Sequence, residues 1–144
     1  MKSFKIFLFL ALFILSACAT PTVPKTPITA SDLGVFKGVW KGIREINWGQ
    51  NKTYDPTVME IYNDSLPLKG KMDITYTPRG EIIPVKYDFD NGQIDQQGNL
   101  VIQLGKNEAK TVLSLYREEN KLKLEGNYIY TQRGVRGILT LYKK

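Results

Sequence analysis

Aromatic and basic side chains make up most of what this chain could use for chemistry. Trp48, Tyr54, Tyr76, Tyr87 and Tyr128, with Arg79, Arg133 and Arg136, are the candidate ligand contacts. Rings with polar tips suit an apolar or amphiphilic ligand, and guanidinium forks suit an anionic head group where the ligand has one. What is missing narrows the field further. The chain has no His, which excludes His-based acid–base catalysis, Ser-His-Asp triads and His-ligated zinc. A single Cys, Cys18, excludes an internal disulfide. Asp88, Asp90 and Asp95 are spaced like part of a calcium loop, but the Gly at position six and the terminal bidentate Glu are lacking. No two carboxylates hold clearly inward strand positions, so hydrolysis by a carboxylate pair is not expected. These residues predict a binding protein, not an enzyme, with no cofactor and no metal.

Lys2 and Lys5 precede an unbroken apolar run from Ile6 to Leu15, which ends in the small residues Ser16 and Ala17. That is the layout of a secretory signal. The run is shorter than the ~20 apolar residues a spanning helix needs. Leu15-Ser16-Ala17-Cys18 resembles the lipobox of bacterial lipoproteins. The resemblance implies cleavage before Cys18, lipidation of Cys18 and a stable membrane anchor made of more than one acyl chain. It also implies a cell-envelope location. Ala19 stands where an Asp retains such proteins at the inner membrane, which favours the outer membrane in a Gram-negative host. The expected division is a signal peptide over 1–17, a lipidated N-terminus and Pro/Thr-rich linker over 18–34, and one domain over 35–144. The formal charge is +6, or +4 once Lys2 and Lys5 leave with the signal. With no concentrated basic run, nucleic acid is not an expected partner.

The elements that must carry the candidate residues are strands. From Phe36 onward the apolar period is two, not 3.6. Met72, Ile74 and Tyr76 alternate with polar residues, as do Val85, Tyr87 and Phe89, then Leu100, Ile102 and Leu104, then Leu124, Tyr128 and Tyr130. Turn chemistry separates the runs, for example Thr77-Pro78-Arg79-Gly80 and Thr131-Gln132-Arg133-Gly134. Asn91-Gly92 is read as a bulge inside one long strand, which gives eight strands; read as a hairpin turn it gives nine. Gly38, Gly70 and Gly126 share a pattern of flanking large apolar residues, as expected where a barrel tapers. The prediction is all-β: an antiparallel up-and-down barrel in which closure removes the sheet edges. A short helical turn is expected near Ser31–Val35, capped by Ser31 or Asp32. One connection reads as a long loop, Asn47–Pro56. That loop, and Gly38-Val39-Trp40 in the first strand, resemble the lipocalins and related calycins. The resemblance implies that Trp40 plugs the closed end of the barrel.

Sorting the loops by barrel end puts Lys52, Arg79, Lys106, Lys110, Arg133 and Arg136 at the end opposite the tether, forming a basic rim. Asp64, Asp95, Glu118 and Glu119 fall at the tethered end. The expected function is to bind a small amphiphilic or apolar ligand, with Trp48, Tyr54, Arg79, Arg133 and Arg136 at the mouth and Tyr76, Tyr87 and Tyr128 inside. The alternative is a solid barrel whose surface contacts another envelope protein.

Overall fold

A repeat of inward and outward side chains shapes the molecule. In a computed structural model, which describes residues 23–144 except for the side chain of Arg79, the strands are β1 (Lys25–Thr26), β2 (Gly38–Trp48), β3 (Asn51–Ile61), β4 (Leu68–Tyr76), β5 (Ile83–Ile94), β6 (Leu100–Leu104), β7 (Ala109–Glu118), β8 (Lys121–Tyr130) and β9 (Val135–Lys143). A short helix, α1, spans Leu33–Phe36. Strands β2 to β9 pair in sequence order, all antiparallel, and β9 returns to β2. The result is a closed eight-stranded barrel, as the period of two predicts. Alternate residues fill the interior: Trp40 and Ile46 from β2, Met59 and Ile61 from β3, Met72 and Ile74 from β4, Leu139 and Leu141 from β9.

The bulge expected at Asn91-Gly92 is present. Between the pairs Gly70↔Phe89 and Leu68↔Gly92, β5 carries one residue more than β4. Its neighbour β6 pairs with β5 through only Gln93↔Val101 and Ile94↔Leu100. The Asn91 amide extends that seam by imitating backbone. It donates to the Gln103 carbonyl and accepts from the Gln103 N–H, each at 2.9 Å.

Three expectations are corrected. First, Asn47–Pro56 is not a loop. Strands β2 and β3 run on to Trp48↔Asn51 and join through Gly49-Gln50. Gly49 has φ +66°, which the first central position of a type II′ hairpin turn requires. The strand is hidden in the sequence because its inward positions there are polar, Asp55 and Thr57, so the apolar alternation lapses. Second, the Pro/Thr-rich segment does not stand off the barrel from residue 25 onward. Strand β1 pairs with Leu115 and Tyr116 of β7, past the last rung that β6 offers at Leu100↔Leu113, and so covers an exposed edge. Ile28 is buried, and its N–H donates to the Gly98 carbonyl at 3.1 Å. Third, the helical turn begins one residue earlier than expected, as a 3-10 turn over Ala30–Asp32 leading into α1. Thr29 is the cap, and the Asp32 carboxylate accepts its N–H at 2.9 Å. Residues 1–22, with the signal, Cys18 and the start of the tether, lie outside the described residues. Among those described, no helix is long and apolar enough to cross a membrane.

This N-terminal segment closes one end of the barrel. Phe36 and Trp40 are fully buried, with ring centroids 6.2 Å apart. The Trp40 indole N–H donates to the Phe36 carbonyl at 2.8 Å. Lys143 lies over the Trp40 ring at 5.5 Å and donates to the carbonyls of Val35 and Lys37. Burial pushes its ammonium below the usual lysine value.

At Gly126 the strand must have no side chain. A Cβ there would sit 2.0 Å from the Val112 carbonyl oxygen of β7. Gly126→Ala is therefore expected to lower the unfolding free energy by at least about 1–3 kcal/mol, seen as a lower urea midpoint. Gly34→Ala in α1 meets nothing within 4 Å and is expected to be neutral or mildly stabilising in the same assay.

Acid should loosen this end first. Burial pushes the Asp95 carboxyl up, but the hydrogen bonds it accepts from Asn99 and Gln97 outweigh this and hold it below the usual carboxylate value. The Thr29 hydroxyl and N–H, with Arg117 beside them, lower Asp32 against a smaller opposing effect of burial. A depressed folded-state pKa gives stability that is complete above the unfolded-state value and lost as pH falls through the folded-state value. The urea midpoint is thus expected to hold from pH 7 to 5 and then fall below the ordinary value of 3.8. In the Asp32→Asn, Asp95→Asn double variant the acid slope should be shallower.

Candidate functional site

Opposite the plug, the barrel opens into a cavity of about 330 Å³ lined by Arg44, Ile46, Trp48, Tyr76, Ile83, Val85, Tyr87, Glu108, Tyr130 and Arg133. The alternation that builds the core also builds this mouth. Continuing inward from Trp40, β2 presents Gly42, Arg44, Ile46 and Trp48. From β3 come Ile61, Met59, Thr57 and Asp55. The register sets Arg44 directly opposite Asp55.

Arg44 forms the floor of the site, and Asp55, beneath the lining, holds it there. Arg44 is 5% exposed and Asp55 0%. Arg44 donates through Nε (3.1 Å) and Nη2 (2.7 Å) to one oxygen, Asp55 Oδ2. The guanidinium lies over the Tyr128 ring at 4.8 Å and near the Tyr76 ring at 5.8 Å. Asp55 and the two rings therefore fix a cation that would otherwise have several rotamers. Its remaining nitrogen, Nη1, donates to no side chain or carbonyl among the described residues. Four buried polar atoms at this end lack partners among the described residues: Asp55 Oδ1, Thr111 Oγ1, the Tyr128 hydroxyl and Trp48 Nε1. Leaving such atoms unpaired is costly, and a cluster of them marks a place where water or a ligand completes the bonding.

The rim also carries ionised and neutral groups. Arg133 lies 6.0 Å over the Tyr130 ring, and Glu108 lines the same cavity. Burial pushes the Tyr87 phenol far up, so it stays protonated at any physiological pH.

All eight candidate contacts lie on elements of this end, but two of them face outward. Trp48, Tyr76, Tyr87 and Arg133 line the cavity. Tyr128 lies beneath it, stacked under Arg44. The backbone of Arg79 is in the Pro78–Gly80 turn beyond β4, and its side chain is not described. Tyr54 is corrected: it sits on β3 one residue from inward-facing Asp55, so it faces outward and is 57% exposed. Arg136 is corrected for the same reason, being one residue from inward-facing Gly137 on β9. The basic rim breaks up in the same way. Lys52 pairs with Glu45 at 2.6 Å on the outer wall, and Lys110 is exposed next to inward Ala109.

Arg44, Asp55, Thr111 and Glu108 are not among the contacts expected from the sequence. A signal for the first exists: the same period that carries Trp40 inward carries Arg44 inward four residues later.

These features define the class: a closed eight-stranded antiparallel barrel, plugged at one end and open at the other onto an aromatic cavity with the arginine of a buried ion pair as its floor. Comparison of the chain with protein-family models, with curated proteins and with solved structures found no match. The geometry of the mouth therefore carries the functional reading.

Proposed function

We propose that this chain is a cell-envelope lipoprotein, anchored through lipidated Cys18, whose barrel binds a small apolar or amphiphilic ligand without covalent chemistry. One observation carries the binding reading: the aromatic mouth cavity of about 330 Å³ with a fixed, partly unsatisfied guanidinium at its floor. Small-molecule sites combine apolar walls with a few convergent polar groups, at volumes from roughly 300 Å³ upward. We read a binder and not a catalyst because the carboxylates nearest the mouth are Asp55, committed to Arg44, and Glu108. The described N-terminal segment runs along the plugged end, so an anchor at Cys18 would leave the mouth pointing away from the membrane.

The second reading is a surface that contacts another envelope protein. Ile43, Tyr54, Ile138 and Tyr142 favour it, since they form an exposed apolar groove on the outer wall of β2, β3 and β9. Fluorescence titration with N-phenylnaphthylamine, an uncharged dye that brightens in apolar sites, separates the two. The dye is expected to bind at micromolar concentration, with affinity falling at least about tenfold in Val85→Trp, which fills the mouth. Tyr54→Ser on the outer groove is expected to leave binding unchanged. The opposite pattern would favour the surface reading.

A further inference from the structure

The N-terminal segment reaches the barrel at its plugged end. Lys25 pairs with Tyr116 and Thr26 with Leu115, so β1 runs antiparallel to β7 and the chain before Lys25 heads for the β7–β8 turn. Val23 and Pro24 line a surface hollow there with Glu118, Glu119 and Lys121. Cys18 stands five positions before Val23. Five residues at full extension span at most about 18 Å. Most of the Pro/Thr-rich stretch that reads as a spacer is thus laid along the barrel wall, and little of it is left as reach.

The β3–β4 turn lies across the barrel from that exit: β5 and β6 stand between the two turns on one side of the closed sheet, β9 and β2 on the other. Asn63 fixes the turn. Its amide donates to the carbonyls of Ser65 (2.7 Å) and Pro67 (3.0 Å) and accepts the Lys69 N–H at 2.7 Å. Tyr62 and Leu66 are left exposed on it. A ring with a polar tip beside an aliphatic side chain suits the head-group layer of a bilayer, and a turn already fixed needs no ordering to make the contact. The charges of this end are mixed. Lys25, Lys37, Lys69 and Lys121 are exposed, with Asp64, Asp95 and Glu119 among them, so the face does not repel anionic lipid.

Building on the reading of Cys18 as a lipid anchor, we infer that the plugged end is a membrane-facing surface, seated by the short reach on the head groups of the anchoring bilayer, with Tyr62 and Leu66 in contact. Two exposed apolar side chains bind a bilayer weakly, but a short attachment confines them beside it at high effective concentration. The tether exit and the β3–β4 turn lie on opposite sides of the same end. Engaging both stands the barrel upright and holds the mouth a barrel's length above the bilayer. The competing orientation is a barrel lying on its outer groove of Ile43, Tyr54, Ile138 and Tyr142.

The test adds the full-length protein, extracted from its own membranes and weighed for lipid on Cys18, to vesicles of phosphatidylethanolamine and phosphatidylglycerol that carry a head-group spin label. Cys18 is the only cysteine, so a fluorophore can be placed on one new thiol at a time: Ser65→Cys at the plugged end, Thr140→Cys at the outer groove and Glu81→Cys near the mouth. Quenching is expected to be at least about threefold stronger at Ser65 than at the other two positions. It should fall by about half or more when roughly twenty Gly/Ser residues are inserted after Thr20, and also in the Tyr62→Ser, Leu66→Ser background. Strongest quenching at Thr140, equal quenching at all three positions, or quenching at Ser65 indifferent to both changes would overturn the inference and leave the anchor standing. A polypeptide mass without lipid would overturn the anchor and the inference together.

Discussion

Asp55→Ala is expected to cost about 3–5 kcal/mol of unfolding free energy, read from urea denaturation at neutral pH. The magnitude comes from burial. Asp55 is fully enclosed and Arg44 nearly so, and both hydrogen bonds of the pair end on the same Asp55 oxygen. Removing the carboxylate leaves a guanidinium in the barrel with only the faces of Tyr128 and Tyr76 to offset its charge. Arg44→Met should be costly for the mirror reason, because Asp55 would stay buried without its cation. The double variant, Arg44→Met with Asp55→Leu, is expected to recover most of the loss, since apolar residues of similar volume often replace a buried pair at little cost. The two changes should therefore be strongly non-additive. If the losses simply add, the two side chains are not a coupled pair. The double variant is also informative about function. It should fold with the cavity walls in place but without the guanidinium donors.

Trp40→Ala is expected to cost a similar amount, about 3–5 kcal/mol, by a different route. Trp40 is the largest fully buried side chain at the plugged end and stacks on Phe36. Its removal opens a cavity between α1 and the barrel and withdraws the partner of the Phe36 carbonyl. Trp40→Phe separates these effects. It keeps a six-membered ring but loses the indole N–H and the pyrrole half of the bicycle, so its cost should lie above the roughly 1 kcal/mol of the hydrogen bond alone and below that of Trp40→Ala. Because the plug and the mouth lie at opposite ends, dye affinity in Trp40→Phe should match that of the unmodified protein. The same variant leaves Trp48 as the lone tryptophan, so its fluorescence then reports the mouth directly.

Much of this architecture is legible in the sequence, and the illegible parts share a cause. Strands β4 to β9 can be read because their inward residues are apolar and their outward ones polar. The bulge at Asn91-Gly92 can be read because a hairpin there would leave too few residues for another strand. The β2–β3 hairpin cannot be read the same way. Arg44, Asp55 and Thr57 put polar groups at inward positions, and the stretch resembles a loop until the register pairs Arg44 with Asp55. Reading it as a loop also carries Tyr54 to the mouth. A loop residue has no defined face, whereas a strand residue one position off points to the other side of the wall. The same one-residue rule places Arg136 outside and Arg133, in the turn, at the mouth. Lys25–Phe36 is obscured by composition. Pro27 and its two threonines, next to Pro21 and Pro24, read as a free linker, while the few contacts that dock it, chiefly Ile28 and Phe36, are too sparse to show a period. The polar floor of the mouth is thus least visible in the sequence, because burial of charge breaks the pattern that reveals everything else.

The central claim is that the open end of this barrel holds a small molecule. Native mass spectrometry of the protein extracted from the membranes of its own cells tests this most directly, and the mass of the polypeptide reports any lipid on Cys18 in the same spectrum. The expected result is a retained adduct of small mass that leaves on collisional activation and is absent from the Val85→Trp variant. A bare polypeptide mass for both proteins, under conditions that keep the barrel folded, would contradict the claim.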